Sequence, residues 1–501
     1  MTIIFIRKNC VSRRKIMPDY TQDFTTIPYG PLGIIALPGC EELAQKIDRY
    51  LVKWRAQKQS EHKNSLSFAG YERDTYIIDA SFPRFGSGEG KGSLHESVRG
   101  YDIFIVCDMF NYGVTYNMYG QTIPMSPDEH FANLKRAISA VGGKAHRITV
   151  IMPMLYEGRQ HKRSSRESLD CAIALQELCN NMGVDNIITF DAHDPRVQNA
   201  IPLKGFENVQ PAYQMIKALV NNVDDLHLDK EHMMVVSPDE GGMSRCIYYS
   251  TVLGLDLGMF YKRRDYSRVV NGRNPILQHQ FLGSNIEGKD VMVVDDMISS
   301  GESMLEVAKK LKELGAKRIF IFSAFGLFCE GLENFDKSFA EGNITKVFTT
   351  NLVYRTPELL QRDWYCEVDM SKYLSYIIDT LNHDMSVSKL LNPADRIYAL
   401  LERKGFKKEK RRTLNDVGLF CTVFNCRPAL LGIRCLCRLA RKKTVCCWWA
   451  YLDRACYLLL LYCGNMDFPG TSAYADDGRD APVVLFLSST GRTHHIQSLE
   501  V

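Results

Sequence analysis

Residues 102–113 read DIFIVCDMFNYG and residues 290–301 read DVMVVDDMISSG, so the two stretches lie over each other at a constant offset of 188 residues. An aspartate, four apolar residues, an Asp-Met pair and a glycine coincide. Each stretch is followed by apolar residues at helical spacing: Phe131, Leu134, Ala137, Ile138 and Val141 after the first, Met304, Val307, Ala308, Leu311 and Leu314 after the second. Each pattern closes on a glycine, Gly142 or Gly315, which frees the chain to leave a helix. Each then enters an apolar run of the buried-strand type, Arg147–Met152 or Arg318–Ser323, where the offset has fallen to 171 and the first copy therefore carries 17 extra residues in its loop. Burial alone requires neither the Asp-Met pair nor the glycine. The repeat predicts an α/β protein of two tandem domains of one ancestry, each a mostly parallel sheet flanked by helices with right-handed crossovers.

Working outward, Ile187–Phe190, Met233–Val236 and Leu257–Phe260 are short apolar runs, while 167–182 and 211–223 carry helical spacing. These place a first domain at 25–210 and a second at 211–410, with an extension over 1–24 and an irregular insertion over 60–93. Sixteen cysteines divide unevenly: eight are scattered over the first 400 residues as free thiols of a reducing compartment would be, and eight crowd between Cys421 and Cys463. The 411–501 segment is a cysteine-rich tail without Cys-x-x-Cys pairs, which argues against structural zinc. It and residues 1–16 are expected to lie outside the working protein.

The 62 Lys plus Arg against 58 Asp plus Glu give a net charge of +4, too small and too evenly spread to point to nucleic acid or a membrane surface, so any phosphate must be held locally. The N-terminal apolar run is too short for an export signal, and the most apolar window, 446–463, is broken by Asp453 and Arg454 before it reaches the roughly 18 residues of a spanning helix. The expectation is a cytoplasmic protein.

In the second copy a buried strand runs into Asp295, Asp296, Met297, Ile298, Ser299, Ser300, Gly301, Glu302 and Ser303, then a helix. Small residues let backbone N–H groups turn toward an anion, the hydroxyls of Ser300 and Ser303 add donors, and the helix start adds its dipole. That is a cradle for a sugar 5-phosphate. The paired aspartates stand where vicinal sugar hydroxyls would bond, at the ligand edge of an open α/β sheet.

This string resembles the 5-phosphoribosyl 1-diphosphate loop of the type I phosphoribosyltransferase fold. Further segments resemble the ribose-phosphate diphosphokinase family within it, as a divergent bacterial-type member: Glu96–Gly100, Asp191-Ala-His193, Val236–Gly242, Lys262–Arg264, Phe85–Glu89 and Arg159-Gln160, together covering about residues 30–400. The resemblance implies transfer of the β,γ-diphosphoryl group of Mg-ATP to the C1 hydroxyl of ribose 5-phosphate, with release of AMP. It implies two phosphoribosyltransferase-like domains, the first with a degenerate loop, and ribose 5-phosphate on Asp295, Asp296, Ser299, Ser300, Gly301, Glu302 and Ser303. It assigns magnesium to His193 and Asp239, an imidazole and a carboxylate that leave room for phosphate oxygens and water. Lys262 and Arg264, in a run that alone reads as a solvated basic loop after the strand 257–260, become the catalytic cations of a flap. Phe85, Ser87, Gly88, Glu89, Arg159 and Gln160 become the ATP contacts, the first segment reaching a neighbouring subunit, so that a homo-oligomer follows.

Ser299 and Ser87 stand where acids are usual in this family, Glu157 is added before Arg159, and His161 replaces an acid. Two other readings are open: a salvage phosphoribosyltransferase, which typically needs one domain, and a non-catalytic subunit associated with a synthetase.

Overall fold

The computed structural model describes residues 27–61, 71–163, 165–264 and 276–406. The expectations for residues 1–24 and for the tail over 411–501 lie outside them. The first sheet is β1 (Leu32–Ala36), β2 (Asp102–Val106), β3 (Arg147–Ile151), β4 (Asn186–Phe190) and β5 (Gly205–Val209), all parallel and arranged in chain order. The second comprises β6 (Met233–Ser237), β7 (Asp256–Arg264), β8 (Ile276–Leu282), β9 (Asp290–Ile298), β10 (Ile319–Gly326), β11 (Lys346–Thr350) and β12 (Tyr365–Val368). Its order is β8-β7-β6-β9-β10-β11-β12, with only the β7–β8 pair antiparallel. Without that hairpin, β6-β9-β10-β11-β12 repeats the first sheet strand for strand.

The repeated aspartate has a structural cause. Arg147 donates Nε and Nη2 to the two oxygens of buried Asp102 at 2.9 and 2.7 Å, and Arg318 donates the same two atoms to buried Asp290 at 3.0 and 2.6 Å. In both copies a bidentate pair pins the start of one strand to the start of the next.

Helix α1 (Glu41–Glu61) follows β1, and α2 (Pro127–Val141) buries all five apolar residues read from the first copy. Its start is a capping box between Ser126 and Glu129, and Gly142 closes it at φ 61°. In the second copy α3 (Met243–Leu253) follows β6 and α4 (Glu302–Glu313) buries Met304, Val307, Ala308 and Leu311. Leu314 departs from the expected stripe: it is the C-cap, 45% exposed, because the helix ends before turning it inward. The 17 extra residues of the first copy make room for a small hairpin, Thr115–Met118 with Gln121–Pro124, so no helix starts directly at Gly113.

Three boundaries differ from the sequence reading. The strand expected to stop at Phe260 continues through Lys262 to Arg264, because β8 offers antiparallel partners, Lys262 opposite His279 and Arg264 opposite Ile276. Ladder hydrogen bonds thus hold charged residues that otherwise read as loop. The helix expected over 167–182 is α-helical only over Asp170–Gln176 and widens to a π turn at Glu177–Asn181. Within the insertion expected to be irregular, Tyr76 and Ile78 are buried, and Ile77 bridges to Ile34 of β1.

One face of each sheet joins a shared core that runs from Ile34 and Phe104 to Phe348, Leu374 and Ile377, while the outer faces have separate cores. Helix α5 (Ser371–Asn382) packs on α1, and there buried Arg55 donates Nε and Nη2 to Asp379 Oδ1 at 3.1 and 2.9 Å and Nη2 to Asn382 Oδ1 at 2.7 Å. The carboxyl ends of both sheets' strands are left to build sites.

Candidate active site

Near the end of β9, Asp295 is half-buried and Asp296 buried, and the strand runs on to Ile298. Opposite them, β4 of the first sheet ends at Phe190 and turns through Asp191, held at φ 37°, into His193. This brings His193 Nδ1 to 2.7 Å from Asp296 Oδ2. Arg245, in the first turn of α3, donates Nε to both oxygens of Asp191 at 2.8 Å and places Nη1 3.8 Å from Asp295 and 3.9 Å from Asp296. Two acids of the loop, the acid and imidazole of β4's end and one arginine therefore form a single network across the two halves.

Its electrostatics divide the acids. Burial, reinforced by the neighbouring charge of Asp296, drives Asp295 well above the usual carboxylate range. Burial also opposes ionisation of Asp296, but the hydrogen bond with His193 and the charge of Arg245 outweigh it and hold Asp296 down at about 2. The pair thus carries its first negative charge on Asp296. The same bond to Asp296 raises His193 against the effect of its burial, and exposed Arg159 acts on that imidazole in the opposite sense. Burial raises Asp191 despite Arg245.

The loop expected to cradle a phosphate follows. Gly301 sits at φ 85°, and a Cβ there would run into the ring of Phe335, so both the turn and the packing demand glycine. Ser300 Oγ accepts the Glu302 N–H at 3.4 Å, Ser303 is exposed in the first turn of α4, and Ser299 is tied to Cys329, whose N–H donates to its carbonyl at 2.9 Å. On the neighbouring strand β6, Ser237 donates to the Asp239 carbonyl at 2.6 Å, and Asp239 Oδ1 accepts the N–H groups of Gly241 and Gly242 at 2.9 and 3.2 Å. That turn spends one carboxylate oxygen of Asp239 on its own backbone. Gly242 lies against Ser237 and the Val294 carbonyl of β9, which seats the Asp239 turn beside the start of the phosphate loop.

Arg159 and Gln160 are exposed after a turn in which Gln160 donates to the Glu157 carbonyl at 2.8 Å, with Glu157 at φ 51°. Glu157 thus forms the corner that presents them. His161 meets His193 edge to face, ring centres 5.3 Å apart, with Nε2 3.4 Å from Asp194. Phe85 is 57% exposed at the tip of a tight turn: its N–H donates to the Glu89 carbonyl at 2.8 Å, Gly88 sits at φ 93°, and Ser87 donates to Glu89 Oε2 at 2.9 Å. For Lys262 and Arg264 the described structure is their place in β7; their side chains lie outside it.

The sequence reading missed Arg245 and the role of Asp191. Arg245 looks in sequence like any polar residue of an amphipathic helix start, and only its three acidic neighbours, from two other segments, mark it.

The family model for the N-terminal domain of ribose phosphate pyrophosphokinase matches residues 32–183, the phosphoribosyl transferase domain 204–329, and the phosphoribosyl synthetase-associated domain 273–392. The ribose-phosphate pyrophosphokinase of Vibrio cholerae is 28% identical over 318 residues, 63% of this chain and 91% of that protein. Those of Shewanella oneidensis and Pasteurella multocida are 28% and 25% identical over 319 and 316 residues, 63% and 62% of this chain and 91% and 90% of theirs. The crystal structure of phosphoribosylpyrophosphate synthetase from Mycobacterium smegmatis superposes with a TM-score of 0.55 at 20% identity, covering 70% of this chain and 99% of that one, which supports the same fold.

Proposed function

Because the chain belongs to the ribose-phosphate pyrophosphokinase family, we propose that it transfers the β,γ-diphosphoryl group of Mg-ATP to the C1 hydroxyl of ribose 5-phosphate and releases AMP. The observation that carries this reading is the joining of His193, from the first half, to the aspartates of the sugar-phosphate loop in the second, 2.7 Å across the interface between them. A donor-side group and an acceptor-side group must meet in this reaction, and a single-domain salvage enzyme has no need of that contact.

In this reading the loop 299–303 takes the 5-phosphate on backbone N–H groups and the hydroxyls of Ser300 and Ser303, and Asp295 and Asp296 accept from the ribose hydroxyls. Arg245 aims Asp191 and, with His193, keeps Asp296 ionised. Arg159 and Gln160 hold ATP at the mouth, and Phe85 stacks on the adenine of a neighbouring copy in a homo-oligomer. Lys262 and Arg264 gather negative charge on the transferring group and the leaving AMP.

The donor set fits magnesium. With Nδ1 committed to Asp296, His193 keeps Nε2 as a lone pair in the carboxylate–imidazole arrangement that supports metal ligands, and Asp239 keeps Oδ2 beyond its own turn. When bound with ATP, Mg2+ would neutralise phosphate charge and polarise the bond under attack.

The test is AMP release from ATP and magnesium with and without ribose 5-phosphate. Release that depends on the sugar phosphate is expected. Absence of AMP under both conditions overturns the synthetase; diphosphate release from 5-phosphoribosyl 1-diphosphate that requires a nucleobase then identifies a salvage enzyme, and its absence a non-catalytic subunit.

A further inference from the structure

The repeat that produced the active site produced its mirror with the two halves exchanged. Cys107 and Asp108, just after β2, correspond to Asp295 and Asp296 near the end of β9 at the same 188-residue offset. The loop after β11, Asn351–Arg355, faces them from the second half just as the loop after β4 faces the aspartates from the first. The parallel reaches single atoms: Tyr354 donates its N–H to Asp108 Oδ2 at 2.7 Å, where His193 stands 2.7 Å from Asp296 Oδ2. Phe110 N–H serves Asp108 Oδ1 at 3.0 Å. A cavity of about 230 Å³ opens there, bounded by the start of α1, the end of β2 and the loop after β11.

Its chemistry is that of an anion site occupied by a tethered carboxylate. Glu42, whose side chain is 65% exposed, lies with Oε1 2.7 Å from Lys46 Nζ and Oε2 3.6 Å from Arg355 Nη2. Both cations pull Glu42 below the usual carboxylate range, the Lys46 hydrogen bond first. Arg355 uses Nη1 on the Asn351 carbonyl at 2.8 Å and sets Nε 2.8 Å from Glu367, which leaves Nη2 for the cavity. Leu43, Val114, Leu352 and Val353 supply apolar wall. No helix starts at Gly113, so the turn at Gly301 has no counterpart here, and Lys46 and Arg355 are the two cationic side chains in the lining of the cavity.

We propose that this cavity is a second, non-catalytic site for a phosphorylated pentose, with the phosphate between Lys46 and Arg355 in place of the Glu42 carboxylate and the sugar hydroxyls on Asp108. A doubly charged phosphate attracts the two cations more strongly than one carboxylate does, and Glu42 swings into water at small cost. Each Asp108 oxygen takes one N–H and retains a lone pair for a hydroxyl.

Calorimetric titration of the full chain with ribose 5-phosphate, without ATP, tests this. Two equivalents per chain are expected. Lys46→Glu should weaken one of them at least roughly tenfold and leave AMP formation in place, whereas Asp295→Asn should weaken the other. Unphosphorylated ribose should fill neither. If Lys46→Glu lowers the melting temperature, Lys46→Gln gives the same readout at less cost to the fold. One equivalent in the unaltered chain, or two undiminished equivalents in both Lys46 variants, overturns the site. Because the readout is binding, failure of the chain to form AMP would not count against it.

Discussion

His193 Nδ1 lies 2.7 Å from Asp296 Oδ2 although 103 positions separate the two residues. The contact joins the end of a first-sheet strand to the end of a second-sheet strand, and Arg245 closes the group from a third segment. Each fixes the state of the other: the carboxylate orients the imidazole, and the imidazole keeps the carboxylate charged beside Asp295.

Arg245 should be the residue whose loss is felt most in stability. Arg245→Met keeps much of the volume but leaves Asp191, Asp295 and Asp296 in a buried site without their shared cation, at an expected cost of about 3–5 kcal/mol. Urea unfolding near neutral pH measures it; a midpoint equal to that of the unaltered chain would remove the network from the account.

His193→Ala should raise the magnesium concentration needed for half-maximal AMP formation by roughly 10–100-fold, since a ligand and its supporting carboxylate are uncoupled together. Circular dichroism should show the fold retained, because the side chain is 40% exposed. An unchanged magnesium dependence argues that His193 serves Asp296 alone.

Lys262→Ala should lower turnover on the order of 10³-fold while ATP binding stays nearly intact, as a charge that acts on the transition state does. Single-turnover AMP release together with equilibrium ATP binding separates the two, and near-normal turnover refutes the catalytic assignment.

At Gly301 the demands of turn and packing add. Gly301→Ala forces a side chain into φ 85° and against Phe335, so a loss of roughly 1–3 kcal/mol is expected together with a weaker response to ribose 5-phosphate. Ser299→Ala, altering a hydroxyl whose neighbour is Cys329, should change both far less. Equal effects of the two substitutions on the ribose 5-phosphate dependence would take the phosphate off this turn.

Asp108 should give stability a pH dependence of unusual sign. Burial lifts its carboxyl from 3.8 to about 6, against the N–H groups of Phe110 and Tyr354 and the charge of Arg355. The folded state therefore holds the proton more tightly than the unfolded chain, so this group's contribution is full below about pH 4 and is lost as pH rises toward about 6, by about 3 kcal/mol. Asp108→Asn should remove that slope. Urea midpoints of both chains between pH 4 and 7 decide it, and parallel curves would show that Asp108 ionises normally.

Much of the architecture was legible because a parallel sheet covered on both faces needs continuous apolar strands, and a strand followed by small residues and a helix has few other uses. The duplicated Asp-Met-Gly string announced two copies before any contact was known, and the bidentate Arg147–Asp102 and Arg318–Asp290 pairs explain why the leading aspartate persisted in both. The run Asp295–Ser303 was readable for the same reason: a turn and a helix start are made from consecutive residues, so the chain itself spells them. What tertiary structure alone decided is every relation between segments. Arg245 shows no motif, β7 runs on through Lys262 and Arg264 only because β8 lies beside it, and the cavity at Asp108 needs three segments drawn from both halves of the chain. Periodicity reports which side of an element is buried, whereas the distance between two polar groups far apart in sequence depends on how the sheets pack, and packing is a property of the whole core rather than of any one segment.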